Sequence, residues 1–188
     1  MKITDTAIPA VKLITPPRIA DDRGFFCESW NRARLAEAGI AVDFVQDNHS
    51  LSHRTGTVRG LHYQAPPHAQ GKLVRCGHGR LFDVAVDIRK GSPTYGQWAG
   101  AELSFENGRQ MWIPAGFLHG FMTLEPDTEI IYKCTDYYAP DCDGAVRWDS
   151  CGIDWPLEGI APVLSEKDER APRLDDFDSP FSYAGAAA

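Results

Sequence analysis

In the stretch Leu81-Phe82-Asp83-Val84-Ala85-Val86-Asp87-Ile88, apolar side chains recur at every second position. Phe82, Val84, Val86 and Ile88 fall on one face, and Asp83 and Asp87 fall on the other. This period-two alternation predicts a strand with one buried face. Turn signals bracket it and its successor: Lys90-Gly91-Ser92-Pro93 follows, and Glu106-Asn107-Gly108 closes a further strand over residues 98–105. The same reading predicts strands over 11–15, 44–52, 57–64, 72–75, 110–113 and 128–138. One short helix is expected over 32–38, with Asn31 as its N-cap and Gly39 as its stop, and a second helical turn over 165–170.

Many short strands, almost no helix, no repeat and no linker predict an all-β fold, a sandwich or jelly-roll barrel, in one domain over 1–188. The tail from residue 141 onward is richer in proline and acidic residues and is expected to form a flank on the barrel. The closing Ala-Gly-Ala-Ala-Ala is expected to be disordered.

The 188 residues suffice for one core, and 43% hydrophobic content with a mean hydropathy of -0.32 is that of an ordinary globular protein. No apolar run approaches the roughly 20 residues of a membrane span. The opening Met1-Lys2-Ile3-Thr4-Asp5 lacks a signal-peptide core, so a cytoplasmic location is expected. Five cysteines (Cys27, Cys76, Cys134, Cys142, Cys151) without a C-x-x-C pair are expected to be reduced thiols. A net charge of -7 argues against nucleic acid or an anionic membrane as partner. An anionic ligand would require basic residues concentrated locally.

Two segments resemble the paired motifs of the cupin superfamily, whose barrels hold a metal through histidines and a glutamate. Gly108, Pro114, Gly116 and His119 match the second motif in full. In the frame of the first stand Gly56, His62, Gln64, Lys72 and Gly79, so Gln64 replaces a histidine and Lys72 replaces the glutamate. A protonated lysine has no lone pair for a cation, and only His62 and His119 survive as donors, so no metal is expected. A fixed cation, Lys72, stands where an electrophile is useful.

A narrower resemblance runs along most of the chain. It is carried by Asp22-Arg23-Gly24-Phe25-Phe26, Val45-Gln46-Asp47-Asn48-His49-Ser50, Arg59-Gly60-Leu61-His62-Tyr63-Gln64 and Gln70-Gly71-Lys72-Leu73-Val74. It continues through residues 82–87 and 114–121, Tyr132-Lys133, Asp136-Tyr137-Tyr138-Ala139-Pro140 and Leu164-Ser165-Glu166-Lys167-Asp168. In these segments the chain resembles the dTDP-4-dehydrorhamnose 3,5-epimerase family. The resemblance implies a cupin-type jelly-roll β-barrel and epimerisation of dTDP-4-dehydro-6-deoxy-D-glucose at carbons 3 and 5, without a cofactor.

Hydrogens beside a 4-keto group are acidic because the carbanion delocalises onto the ketone oxygen, so the chemistry asks for a base, an acid and a positive group at the enolate. The resemblance assigns His62 as base, oriented by Asp168, Tyr132 as proton donor, and Lys72 as counter-charge with His119 nearby. It implies Arg23, Arg59 and Lys167 for diphosphate and sugar, Glu28, Gln46 and Asn48 for the nucleotide, and Tyr138 for stacking on thymine. It also implies a homodimer whose N-terminal segment crosses to the partner's site. Tyr132 shares a strand face with Ile130 and Cys134, opposite Lys133. Strict alternation sets Arg59 opposite His62, a conflict that a bulge at Gly60 would remove. The competing readings are a single-centre epimerase of a related sugar, a metal-dependent cupin enzyme and a noncatalytic sugar-nucleotide sensor.

Overall fold

The computed structural model describes residues 1–184. Its largest sheet has six strands, in the order β1 (Lys2–Asp5), β2 (Lys12–Thr15), β10 (Gln110–Ile113), β7 (Lys72–His78), β12 (Thr128–Cys134) and β5 (Gln46–Ser52). A second has five, in the order β13 (Asp143–Ala145), β6 (Val58–Gln64), β11 (Phe117–Thr123), β8 (Arg80–Asp87) and β9 (Trp98–Ser104). Between these strands every pairing is antiparallel. A separate hairpin joins β3 (Arg18–Asp21) to β4 (Gly24–Cys27).

The two large sheets pack face to face as a cupin-type jelly-roll barrel. Val74, Cys76, Met111, Ile113 and Ile130 from the six-stranded sheet interdigitate with Leu81, Ala85, Leu103, Phe117 and Phe121 from the other. Each sheet is also covered outside. Helix α1 (Arg32–Glu37) sets Leu35 against Leu73 and Trp112. Its start is fixed by Asn31, whose side chain accepts from the Arg34 N–H at 3.2 Å. The C-terminal flank lays Val146, Cys151, Trp155, Leu174, Phe177 and Phe181 over Val84, Val86 and Leu118.

That outer layer corrects the one-sided reading of β8. Asp83 and Asp87 both have no exposed surface, because their face points into the barrel while the Val84/Val86 face is covered by the flank. It also explains why β11 escapes a period-two reading, since all seven of its residues are buried and no polar alternation marks it. The strand expected to run to Tyr138 ends at Cys134. The side chains of Gln64 and Gln70 hold the carbonyls of Tyr137 and Asp136 and draw the chain out of the sheet.

The second helical turn is α2 (Glu166–Glu169), capped by Ser165 Oγ on the Asp168 N–H at 3.2 Å. The five cysteines are free thiols, and burial pushes those of Cys76 and Cys151 up to about 11. The closing Ala-Gly-Ala-Ala-Ala lies, apart from Ala184, outside the described residues.

Candidate active site

A cleft of about 260 Å³ opens between the two sheets, and its walls carry different chemistry. From the five-stranded sheet comes His62 on β6, whose direct cross-strand partner on β11 is His119. From the six-stranded sheet come Lys72 on β7 and Tyr132 on β12. The His119 and Tyr132 rings stand 6.3 Å apart across the interior, and the Lys72 ammonium lies 5.9 Å from the Tyr132 ring centre.

Each histidine is held by a carboxylate. His62 Nε2 meets Asp168 Oδ1 at 2.6 Å, with the Asp168 side chain 4% exposed and the imidazole 32% exposed toward the cleft. Burial pushes the Asp168 carboxyl up. Hydrogen bonds from His62, Ser165 and the Gly60 N–H outweigh it and hold the group below the usual carboxylate range. His119 Nε2 meets Asp83 Oδ1 at 2.7 Å deeper in the barrel. Burial pushes His119 down despite Asp83, with Lys72 and His62 adding to the effect, so this imidazole stays neutral.

Burial also pushes the Tyr132 phenol up, against the Asn48 hydrogen bond and the Arg59 charge, so it holds its proton at neutral pH. It pushes the Lys72 ammonium down, opposed by Cys134, Asp83 and Asp143. Tyr132 faces inward with Ile130 and Cys134, while Lys133 points outward to Asp47 at 2.9 Å.

The conflict at Arg59 is removed by the chain itself. Between the pairs His119↔His62 and Phe121↔Arg59, one residue of β11 opposes two of β6, which is a β-bulge. Gly60 occupies it at φ +119°, and a Cβ there would lie 2.7 Å from Gly120 Cα and from the His119 carbonyl. Arg59 donates to Ser52 and to the Leu51 carbonyl at 3.2 and 3.1 Å.

Gln46, Asn48, Tyr138 and Lys167 line the same cleft. Asn48 pairs across strands with Tyr132, and Gln46 Oε1 accepts the Tyr138 N–H at 2.9 Å. Arg59 and His119 are not among its lining residues, and two further expected contributors lie on other elements. Arg23 sits at the turn of the β3–β4 hairpin, 89% exposed and paired with Asp21, and Glu28 is paired with Arg34 at 3.2 Å. In one copy of the chain, these two side chains belong to the hairpin and α1, not to the cleft.

Asp83 and Asp143 are the site residues a motif reading passes over. The signal for Asp83 was available: it shares a strand face with Leu81 and Ala85, both apolar, which marks that face as buried. Asp143 takes an ion pair from Lys167 at the cleft's rim, and nothing in its surrounding loop sequence announces that role.

The donor set does not fit a divalent metal. His62 and His119 direct Nε2 at carboxylates, and Lys72 offers an ammonium with no lone pair. Gln64 gives its amide to the carbonyls of His68 and Tyr137 and accepts the Ala139 N–H at 2.9 Å, a clamp on the 136–139 loop.

Fold and site together define a cupin-type barrel in which a glutamine and a lysine stand at two of the usual ligand positions, beside two carboxylate-held histidines. The family model for dTDP-4-dehydrorhamnose 3,5-epimerase matches residues 5–176, and the chain belongs to that family. A dTDP-4-dehydrorhamnose 3,5-epimerase of Pseudomonas aeruginosa is 55% identical over 181 residues, 95% of this chain and 98% of the relative. A dTDP-6-deoxy-D-glucose-3,5-epimerase of Legionella pneumophila, solved with dTDP-4-keto-L-rhamnose, is 48% identical at a TM-score of 0.93, covering 98% of this chain and 99% of the other. A 3'-monoepimerase of Streptomyces bikiniensis, solved with dTDP-quinovose, is 33% identical at a TM-score of 0.85, covering 91% and 87%.

Proposed function

We propose that this chain epimerises dTDP-4-dehydro-6-deoxy-D-glucose at carbons 3 and 5 to give dTDP-4-dehydro-L-rhamnose. The observation that carries the reading is the opposition of a carboxylate-held imidazole, His62, to a protonated phenol, Tyr132, across one cleft, with Lys72 beside the phenol. Inversion requires a proton to leave one face of the sugar and another to arrive on the opposite face.

His62 takes the proton beside the 4-keto group, and Asp168 stabilises the imidazolium that forms. The electron pair moves onto the ketone oxygen, where Lys72 neutralises the enolate. Tyr132 returns a proton from the other side. Tyr132 then regains a proton and His62 releases one before the second carbon reacts, so nothing is consumed. His119, held neutral, presents an imidazole to the same enclosed space.

Gln46, Asn48 and Tyr138 extend the cleft for the nucleotide, and Lys167 in its lining, with Arg59 near enough for its charge to act on Tyr132, supplies the local positive charge that a chain of net charge -7 needs for a diphosphate. Arg23 and Glu28 serve the partner's cleft in a homodimer. The exposure of Phe26 at 69% and Phe25 at 43% on their hairpin supports that reading. No helix of the described residues is long and apolar enough to cross a membrane, and a cytoplasmic location accords with the free cysteines.

The test is solvent deuterium incorporation during turnover, read by NMR. Label enters at carbons 3 and 5. Label at one carbon only would favour a single-centre epimerase, a reading supported by the likeness to the Streptomyces 3'-monoepimerase. His62→Ala is expected to bind dTDP and to lose turnover, and an active variant would contradict the assigned base.

A further inference from the structure

Asp83 stands in β8 with no exposed surface, flanked on its face by the core residues Leu81 and Ala85. Oδ1 engages His119 at 2.7 Å, whereas Oδ2 is buried and has no hydrogen-bond partner. A neutral imidazole satisfies a lone pair but not a charge, and a buried carboxylate without a cation is strongly disfavoured. The cation that faces Asp83 across the barrel is Lys72, half-buried in the cleft beside Tyr132. Only charge at a distance, with no direct hydrogen bond, opposes the effect of burial on its ammonium.

The other groups facing Lys72 do not supply its counter-charge. Asp143 on β13 is already in an ion pair with Lys167. On β12, Cys134 and Tyr132 are both held protonated by burial. His62 on β6 and His119 on β11 carry no negative charge. That leaves Asp83 as the one carboxylate facing Lys72 without a cation of its own among the described residues.

We propose that Asp83 is a positioning residue whose carboxylate, fixed through His119, keeps the Lys72 ammonium charged where the enolate forms. It does not touch the sugar. Its charge acts on Lys72, and its hydrogen bond sets the tautomer of His119, leaving Nδ1 as the free acceptor. The second imidazole–carboxylate pair of this barrel thus serves the cation, as the first serves the base. The inference deepens the function proposed above and rests on it for the role of the enolate, but the state of Lys72 can be read without catalysis.

The test uses Asp83→Asn in the full chain. Asparagine keeps the shape and still accepts the His119 N–H while removing the charge. Acetic anhydride labelling of Lys72, followed by mass spectrometry against the exposed Lys2 across a pH series, reports where the amine gives up its proton. The Lys72 midpoint is expected to fall by about one pH unit, a tenfold loss of proton affinity, at the low end of what an opposite charge confers. The alkaline limb of kcat follows it, while KM for the dTDP-sugar stays within about twofold.

In a Lys72→Arg background, where the guanidinium stays charged, Asp83→Asn leaves the alkaline limb in place. Should the asparagine variant misfold, Asp83→Ser carries the same expectations. A Lys72 midpoint that does not move overturns the proposal, as does an alkaline shift that persists with Arg at position 72. An inactive wild-type protein whose Lys72 midpoint still depends on Asp83 would overturn the epimerase reading and leave the counter-charge intact.

Discussion

Replacing Asp168 by asparagine removes one charge and leaves a side chain of the same size at the end of α2. The structure sets the magnitude. A 2.6 Å contact joins a side chain 4% exposed to an imidazole 32% exposed, and on the proposed mechanism the ring becomes imidazolium. A hydrogen bond to a charged group in such a setting contributes about 1.5–3 kcal/mol. Lost from the transition state, it lowers kcat about tenfold to 150-fold. The lost contact counts most where charge develops on the ring, so KM is expected to change little.

Initial rates measured with calorimetric dTDP affinities on the same sample separate the two effects. A kcat within about threefold of wild type, in a variant that folds normally, would refute the dyad. Stability supplies a second reading. Asp168 is held below the usual carboxylate range, so its ionised form stabilises the fold above the unfolded value of about 3.9 and gives that stability up as pH falls through the lower folded value. The Asp168 contribution to the thermal advantage of wild type over Asp168→Asn therefore shrinks below about pH 4. An advantage that widens on acidification contradicts it.

Tyr132→Phe is expected to retain dTDP binding and base-promoted hydrogen exchange while losing inverted product, and normal product formation would remove Tyr132 as the donor. Leu118→Ala, at a fully buried position against Val84 and Val86, is expected to cost about 2–5 kcal/mol, read as a fall in Tm of roughly 2–4 °C per kcal/mol. Calorimetry showing less than about 1 kcal/mol would mean that the flank does not seal this face. Light scattering is expected to give a dimer, with Phe26→Glu raising the monomer fraction and weakening dTDP affinity; a fully active monomer would end the proposal of segment exchange.

The strands that a sequence reading recovers best are those whose two faces differ chemically. In β5, exposed Asp47, His49 and Leu51 alternate with more buried neighbours, and the chain shows the rhythm directly. The all-buried β11 carries no such contrast and is passed over. The β3–β4 hairpin is missed for the opposite reason, being exposed along most of its length. At the site, His62, Lys72 and His119 are legible because motif spacing places them at one end of a barrel. Asp168 lies 106 residues from His62, and only the family resemblance joins them. Leu81 and Ala85 mark the Asp83 face as buried, but its partnership with His119, 36 residues away on β11, is not written in the spacing along β8.

The C-terminal flank has one consequence for how this protein comes into service. The segment that seals the outer face of the five-stranded sheet also brings Asp168 to His62 and Lys167 to the cleft, so on the proposed roles the base is completed by residues that follow both sheets in the sequence. On that reading a chain cut ahead of α2 keeps His62, Lys72 and Tyr132 but lacks the carboxylate that holds the base. The proposed mechanism therefore ties turnover to the docking of the flank that covers the far face of the same sheet.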